Sequence, residues 1–533
     1  GSFSSFYGII TIMNQLTNFT TNFQEHQLFL PMDLAKIIPD NDSVRVLSNI
    51  LEVLNYSTLM QEYSKLGRNP IVNPKVLFKI LVYAFMNNIY SSRQIEKACK
   101  RDINFMWLLQ NMPAPSHNTI SRFRSKRLAN CMEDLFYQLI LKLPHIGELD
   151  FNNLFIDGTK IEANANKYTF KWKKSIQKYD KKLDIKIEEL LNSFNCRNKT
   201  YFSDINKLRL HIKNEIFETN ILFTSGKGQK KHSLQKDYEI LEEYLKKKRE
   251  YQNDLKKFNG RNSFSKTDND ATFMHMKEDH MRNSQLKPAY NAQISVSGEY
   301  ITGAGIYNKR NDYHVLIPFL DTLKTYLPPF KNIVADAGYE SEENYVYLRD
   351  NCQSAYIKPQ TYEKGKTRKF KNDISKKENM IYLEQSNEYI CHNQRKLKYI
   401  YSSNKKTESG YIKKIDVYGC DNCSDCNSKS QCTRSKYNKK LYVPRLFTEL
   451  REKSYENITS DLGIYLRLNR SIQVEGAFGV IKENRKFRQF LLRGTKKVEI
   501  EFLLICMAYN INKLHAKKEK ERLGVAFHKK KLC

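Results

Sequence analysis

The sequence predicts an α/β core that is interrupted twice and preceded by an all-helical region, and three observations carry that expectation. Two apolar, strand-like runs each end on an aspartate: Leu154-Phe155-Ile156-Asp157 and Ile333-Val334-Ala335-Asp336. Between them, Tyr290 to Val296 and Tyr300 to Ile306 flank Gly298-Glu299 as a β-hairpin. Upstream of both, residues 76–128 place apolar side chains at three- and four-residue spacing, the period of packed helices.

Taken in order, the first expected helix follows Pro74 and breaks at Asn87-Asn88, and a second starts near Ser92 with Glu96 close by. After Pro113-Ala114-Pro115-Ser116 comes a basic helix, Thr119 to Leu128. It is expected to turn Ile120, Phe123 and Leu128 inward and to present Arg122, Arg124, Lys126 and Arg127 as a cationic outer face for DNA. Residues 166–285 shift to Lys, Glu, Asn and Leu. They read as an inserted helical hairpin with too few large apolar residues for a core of its own.

Beyond the β-hairpin, a helix from about His314 to Tyr326 is ended by Pro328-Pro329, Ser341 caps a helix over Glu342 to Arg349, and Ala355-Tyr356-Ile357 is a further buried strand. Ser471 to Lys482 reads as a helix with Ile472, Phe478 and Ile481 facing the core. Lys482 then follows Glu475 by two helical turns and shares its face.

Composition narrows the function. The chain has 533 residues, with 89 Lys and Arg against 58 Asp and Glu, a formal net charge of +31. That length excludes a single small module, and that charge points to a polyanion such as DNA, bound with counterion release. Codon usage of an AT-rich genome would raise Lys too, but it should raise Glu alongside and would leave no imbalance. The apolar run Phe502 to Met507 falls well short of the roughly 20 residues a bilayer span needs, so no membrane association is expected. Gly1 to Ser5 lacks the features of an export signal, and Met13 is a candidate natural start. No Gly-rich ATP loop is present, and the spacing of His275 and His280 is not that of a zinc-protease helix.

Asp157 and Asp336 sit at the ends of strands, where open sheets with helical crossovers carry their ligands, so they are expected to converge across 179 positions. Glu475 supplies a third carboxylate. Phosphodiester transfer needs an activated nucleophile and a stabilised leaving oxygen, which two divalent ions provide, and Mg²⁺ (or Mn²⁺) prefers such oxygen ligands. Of eleven cysteines, five lie between Cys391 and Cys432. The C-x-x-C spacing of Cys420, Cys423 and Cys426 suits a structural zinc site better than a secreted disulfide framework, and a reducing compartment is expected.

The stretches Phe155-Ile156-Asp157-Gly158-Thr159-Lys160-Ile161-Glu162-Ala163-Asn164, Val334-Ala335-Asp336-Ala337-Gly338-Tyr339 and Val474-Glu475-Gly476-Ala477-Phe478-Gly479-Val480-Ile481-Lys482 resemble bacterial insertion-sequence transposases of the DDE, RNase H-like class. The likeness extends to Pro74 to Arg127 and to Ser265 through Pro288. It implies an α/β RNase H-like catalytic core (146–165, 286–360 and 455–515), an N-terminal all-α DNA-binding region (1–145), a helical insertion (166–285), a Cys-rich insertion (361–454) and a basic tail (516–533).

By the same resemblance, Asp157, Asp336 and Glu475 are the acidic triad holding two Mg²⁺, and Lys160, Lys482, Arg470 and Arg467 contact DNA. Cys423, Cys426 and Cys432 match a zinc knuckle, with Cys391 as the expected fourth ligand and Cys420 as the alternative. Related cut-and-paste enzymes carry a Tyr and an Arg upstream of the Glu, whereas this chain has Leu468 and Ser471 there. The implied protein binds inverted repeats as a homodimer in a bacterial cytoplasm, associated with the nucleoid, and joins the freed 3′-hydroxyl to target DNA. A structure-specific nuclease without strand transfer and a domesticated, non-catalytic DNA-binding protein are the alternatives.

Overall fold

The computed structural model describes residues 33–63, 70–198, 202–225, 230–276 and 285–524. Met13, His280 and the basic run Lys529-Lys530-Lys531 fall outside them. The chain divides into two units, Gly1–Asp40 and Asn41–Cys533. In the first, a one-turn helix over Leu34–Ile37 is capped by the Asp33 carboxylate, which accepts the Ala35 N–H at 3.0 Å. The second holds both large sheets and the candidate site.

Helices α1 (Ser43–Glu52), α2 (Pro74–Met86), α3 (Ser92–Cys99), α4 (Ile103–Leu109), α5 (His117–Ser125) and α6 (Met132–Lys142) form the expected helical region. Proline at the first position and an Asn73 side chain accepting from Lys75 N start α2, which is buried on nearly every side. In α5, Ile120 and Phe123 face inward as expected, while Leu128 is buried from a separate 3₁₀ turn over Arg127–Asn130.

The central sheet contains β1 (Asn153–Glu162), β4 (Thr272–His275), β5 (Leu286–Ser297), β6 (Tyr300–Tyr307), β7 (Asn332–Ala335) and β8 (Ser354–Ile357), while β2 (Phe170–Trp172) and β3 (Ser263–Ser265) pair separately. Its order is β4-β5-β1-β7-β8, with β6 also on β5. The β6-β5-β1 ladders are antiparallel, and β7 runs parallel to both β1 and β8. The β5-β6 turn uses Gly298 and Glu299, both at positive φ. A Cβ at Gly298 would lie 2.4 Å from the Glu148 carbonyl oxygen, so only glycine fits there.

Between β1 and β4, the helices α7 (Lys173–Asn198), α8 (Ile205–Glu218) and α9 (Ser233–Phe258) replace the expected hairpin with three helices. Phe194, Leu208, Ile212, Ile216 and Leu241 give them a small core, which the charge-rich composition hid. Helices α10 (Leu316–Tyr326) and α11 (Glu342–Asp350) follow the predicted bounds closely, and Ser341 caps α11 by accepting from Asn344 N.

After β8 the Cys-rich insertion holds a five-stranded antiparallel meander, β9 (Ile381–Leu383), β10 (Glu388–Ile390), β11 (Lys396–Lys406), β12 (Ile412–Cys420) and β13 (Lys440–Val443). The sequence did not announce it, because β11 is exposed at nearly every position and carries no apolar alternation. The chain returns through α12 (Arg445–Thr459) and α13 (Asp461–Arg470) and ends in α14 (Thr495–Glu519).

Helix α14 packs on β6 and against α2 and α6, burying Phe502 to Met507. The helical region and the sheet therefore share one core. Arg485, the first residue of the basic run Arg485-Lys486-Phe487-Arg488, is buried there. Its guanidinium donates to Phe85 O at 3.0 Å and to Ala508 O at 3.4 Å, joining the C-terminal end of α2 to α14. Lys517, placed by sequence in a basic tail, is buried in α14 and paired with Glu148 at 2.5 Å.

Candidate active site

The β1-β7 register sets Asn153 beside Asn332 and Phe155 beside Val334, an offset of 179 that two further positions carry to Asp157 and Asp336. Neighbouring parallel strands lie about 4.8 Å apart. The two aspartates thus meet where β7 leaves the sheet. Asp336 caps the turn Ala337–Tyr339, accepting from Gly338 N at 2.8 Å. Asp157 differs from expectation: β1 does not stop there but continues against β5 to Glu162. Gly158 is therefore not a turn residue. Its missing Cβ makes room for the Gln293 amide, whose Nε2 would lie 2.0 Å from a Cβ at that position.

Glu475 enters from a distorted helix. Beyond α13 the rod widens into a π-helical stretch over Ser471–Glu475, returns to one α-turn at Gly476–Gly479 and widens again over Val480–Asn484. Such bulges rotate side chains away from the positions a 3.6-residue period assigns. Ile472, expected inside, is 49% exposed, while Val474 and Ala477 are buried together with Phe478 and Ile481. Seven residues here do not make two regular turns, yet Glu475 and Lys482 still line one cavity.

That cavity has a volume of about 620 Å³. Its walls carry the carboxylates of Asp157, Glu162, Asp312, Asp336, Glu475 and Glu483 and the cations of Lys160, Lys287, Arg470, Lys482 and Arg488. Arg470 stands among the acids: one guanidinium nitrogen lies 3.2 Å from Asp157 Oδ2 and another 3.8 Å from Glu475 Oε1. Burial pushes the Asp157 carboxyl above its ordinary pKa and the Asp336 charge adds to this, while Arg470 and the Gly158 N–H pull it back.

An all-oxygen donor set of this kind suits Mg²⁺ or Mn²⁺. Among the described residues, however, no group of three or more His, Cys, Asp or Glu side chains is drawn close enough to hold a metal ion. The Glu475 side chain is 61% exposed, and the Arg470 guanidinium supplies the positive charge between the acids. The expected meeting of three carboxylates within a few ångströms is therefore incomplete: Asp157 and Asp336 are neighbours, while Glu475 stays largely exposed.

Other expected contacts divide. Lys160 and Lys482 line the cavity, and Lys160 is paired with Asp312 at 3.1 Å. Arg467 lies instead over the Tyr362 ring, 5.3 Å from its centre. Arg122 on α5, Lys126 just after it and Arg127 in the following 3₁₀ turn are exposed, and Arg127 also packs over the Tyr63 ring. Arg124 corrects the sequence reading: it is 4% exposed and donates to the Tyr90 carbonyl at 2.7 Å. The buried Glu501 carboxylate attracts it inward. Asp312 was missed altogether, since nothing in Lys309-Arg310-Asn311-Asp312 marks it locally.

In the Cys-rich insertion, Cys420, Cys423 and the partly buried Cys391 pack in the meander's core. Burial pushes the Cys432 thiol above its ordinary pKa, and the Lys439 charge pulls it back. Burial and a hydrogen bond with Cys423 push the Cys420 thiol up to about 11. Backbone Lys439 N donates to Cys423 Sγ at 3.4 Å, and Asn393 Nδ2 donates to Cys426 Sγ at 3.5 Å. The five thiols are neighbours, but in this arrangement they too fall short of a metal-holding group.

Two family models match the chain. Residues 390–515, which include Glu475 and the cysteine cluster, match the transposase DDE domain, and residues 32–126 match a transposase domain (DUF772) that spans much of the helical region. Together they indicate an insertion-sequence transposase of the DDE class. No curated protein and no solved structure matches. The family implies DNA as substrate and a DNA-cleaving or transposing activity, and such enzymes usually use a divalent metal. Among the described residues, no helix is long and apolar enough to cross a membrane.

Proposed function

We propose that the protein binds the terminal inverted repeats of an insertion sequence, hydrolyses the phosphodiester at each end and joins the freed 3′-hydroxyl to target DNA. The observation that carries this reading is the single cavity lined by Asp157, Asp336 and Glu475 together, from three elements far apart in sequence. The strand order β6-β5-β1-β7-β8, three antiparallel strands followed by two parallel ones, supports an RNase H-like core.

Asp157, Asp336 and Glu475 would hold two Mg²⁺ or Mn²⁺ ions, whose chemistry is to activate the attacking oxygen and stabilise the leaving one. The chain's own cations do the rest. Arg470, beside Asp157 and Glu475, is placed to meet a backbone phosphate, and Lys482 stands on the same wall. The exposed Arg122 of α5, with Lys126 and Arg127 just beyond it, offers DNA contacts outside the catalytic cavity.

A structural zinc held by Cys423, Cys426, Cys432 and Cys391, or by Cys420 in place of Cys391, fits the N–H···S contacts around the thiols and would brace the meander. Because two ends must be paired, a homodimer is the simplest assembly, acting on DNA in the bacterial cytoplasm.

Incubation with the element's own flanking ends and Mg²⁺, followed by mapping of cut and joined strands, tests the proposal. Joined products are expected. Cutting without joining would favour the nuclease reading, and metal-dependent cutting that survives Asp157→Ala would overturn the assigned site.

A further inference from the structure

We propose that Asp312 is a positioning residue: through one carboxylate oxygen it holds the Lys160 ammonium in the acidic cavity, where that ammonium meets the non-bridging oxygen of the phosphate under attack. The inference rests on the DNA-processing function proposed above.

Asp312 Oδ1 accepts three hydrogen bonds, from Lys160 Nζ at 3.1 Å, Asn291 Nδ2 at 2.7 Å and Gln293 Nε2 at 3.1 Å. Asn291 and Gln293 are fully buried on β5, opposite Lys160 and Gly158 in the β1-β5 register. The Gln293 amide is itself fixed at both ends. Its nitrogen also donates to Asn291 Oδ1 at 2.9 Å, and its oxygen accepts from the buried Tyr339 hydroxyl.

This network touches both catalytic strands. Gly158 follows Asp157 directly and leaves the space that Gln293 fills, while Tyr339 belongs to the turn that Asp336 caps. The position of Lys160 is thereby tied to the backbone beside each aspartate. A lysine on an open surface would sample many rotamers, whereas one pinned to a fixed carboxylate has already lost that freedom before substrate arrives. Asp312 and Lys160 keep 25% and 17% of their side-chain exposure, which leaves the pair open to the cavity. A purely structural Asp312 would need only the two buried amides. The ammonium at the cavity wall is what this reading explains in addition.

The test compares wild type, Asp312→Asn, Lys160→Ala and the double variant on the protein's own DNA ends with Mg²⁺. Each is measured with a normal scissile phosphate and with a methylphosphonate, which replaces one charged non-bridging oxygen by methyl. Asp312→Asn is expected to slow cutting on the order of 10- to 100-fold, as a small misplacement of a catalytic group does. The double variant should be no slower than Lys160→Ala, because the two residues act as one unit. The methylphosphonate penalty of wild type should shrink in both single variants, a change that loss of structure alone does not produce.

A wild-type rate in Asp312→Asn, additive losses, or an undiminished methylphosphonate penalty in Lys160→Ala would each overturn the inference while leaving the wild-type reaction intact. Failure of the wild type itself to cut would instead overturn the parent reading, and this inference with it.

Discussion

The guanidinium of Arg470 lies 3.2 Å from the Asp157 carboxylate, in the space between acids that converge only around positive charge. It acts as an internal counter-ion. Replacing it removes the cation that competes with a metal, so Arg470→Ala should bind Mn²⁺ about tenfold more tightly than wild type without DNA, the equivalent of one pKa unit of interaction. Titration followed by electron paramagnetic resonance reads this directly. Equal affinities would show that the guanidinium does not occupy the metal's place.

Arg124 and Arg122 lie two residues apart on α5 but are expected to behave oppositely. Removing Arg124 takes away a buried side chain and the donor to the Tyr90 carbonyl, so Arg124→Ala should destabilise the fold by about 1–3 kcal/mol. Glu501, which accepts the N–H groups of Leu491 and Leu492, also loses a nearby positive charge. Arg122 is exposed. Its alanine variant should change stability by about 0.5 kcal/mol at most while weakening DNA binding. Urea unfolding and DNA titration separate the two effects.

Stability should fall as pH rises across neutrality. Burial and the neighbouring Glu133 charge push the Glu499 carboxyl up to about 7, against the small opposing effects of the Ile306 N–H and Lys496. A folded-state value above the unfolded one favours the protonated form. This contribution is therefore complete below the unfolded pKa of 4.5 and is lost as pH rises through 7. Glu499→Gln should melt higher than wild type at pH 8, with the gap closing by pH 5. A gap independent of pH would show that Glu499 does not titrate in this range.

The cysteine cluster makes its own prediction. Purified protein should carry about one zinc per chain, and Cys432→Ser should lose it along with order in the meander. Elemental analysis and hydrogen exchange of residues 381–443 check both. A metal-free protein with an unchanged exchange pattern would leave the thiols as ordinary core residues.

Local pattern was enough for much of this chain. The apolar runs before Asp157 and Asp336, the hairpin about Gly298 and the Ser341 cap are written in neighbouring residues, because strand period, turn conformation and capping are short-range properties. Other features depend on distant partners. The inward turn of Arg124 answers to Glu501, and the room at Gly158 answers to Gln293. The exposed Ile472 reflects a π-helical widening that no 3.6-residue period anticipates, and Asp312 matters only through Asn291, Gln293 and Lys160.

The sequence by itself determined the kinds of chemistry available: a strongly cationic chain, three candidate acids and a knot of thiols, all read from residue type and spacing. Tertiary structure alone decided which charges face one another. A cation's role depends on whether the nearest carboxylate is buried beside it or separated by water, and that distance is set by packing among elements hundreds of residues apart.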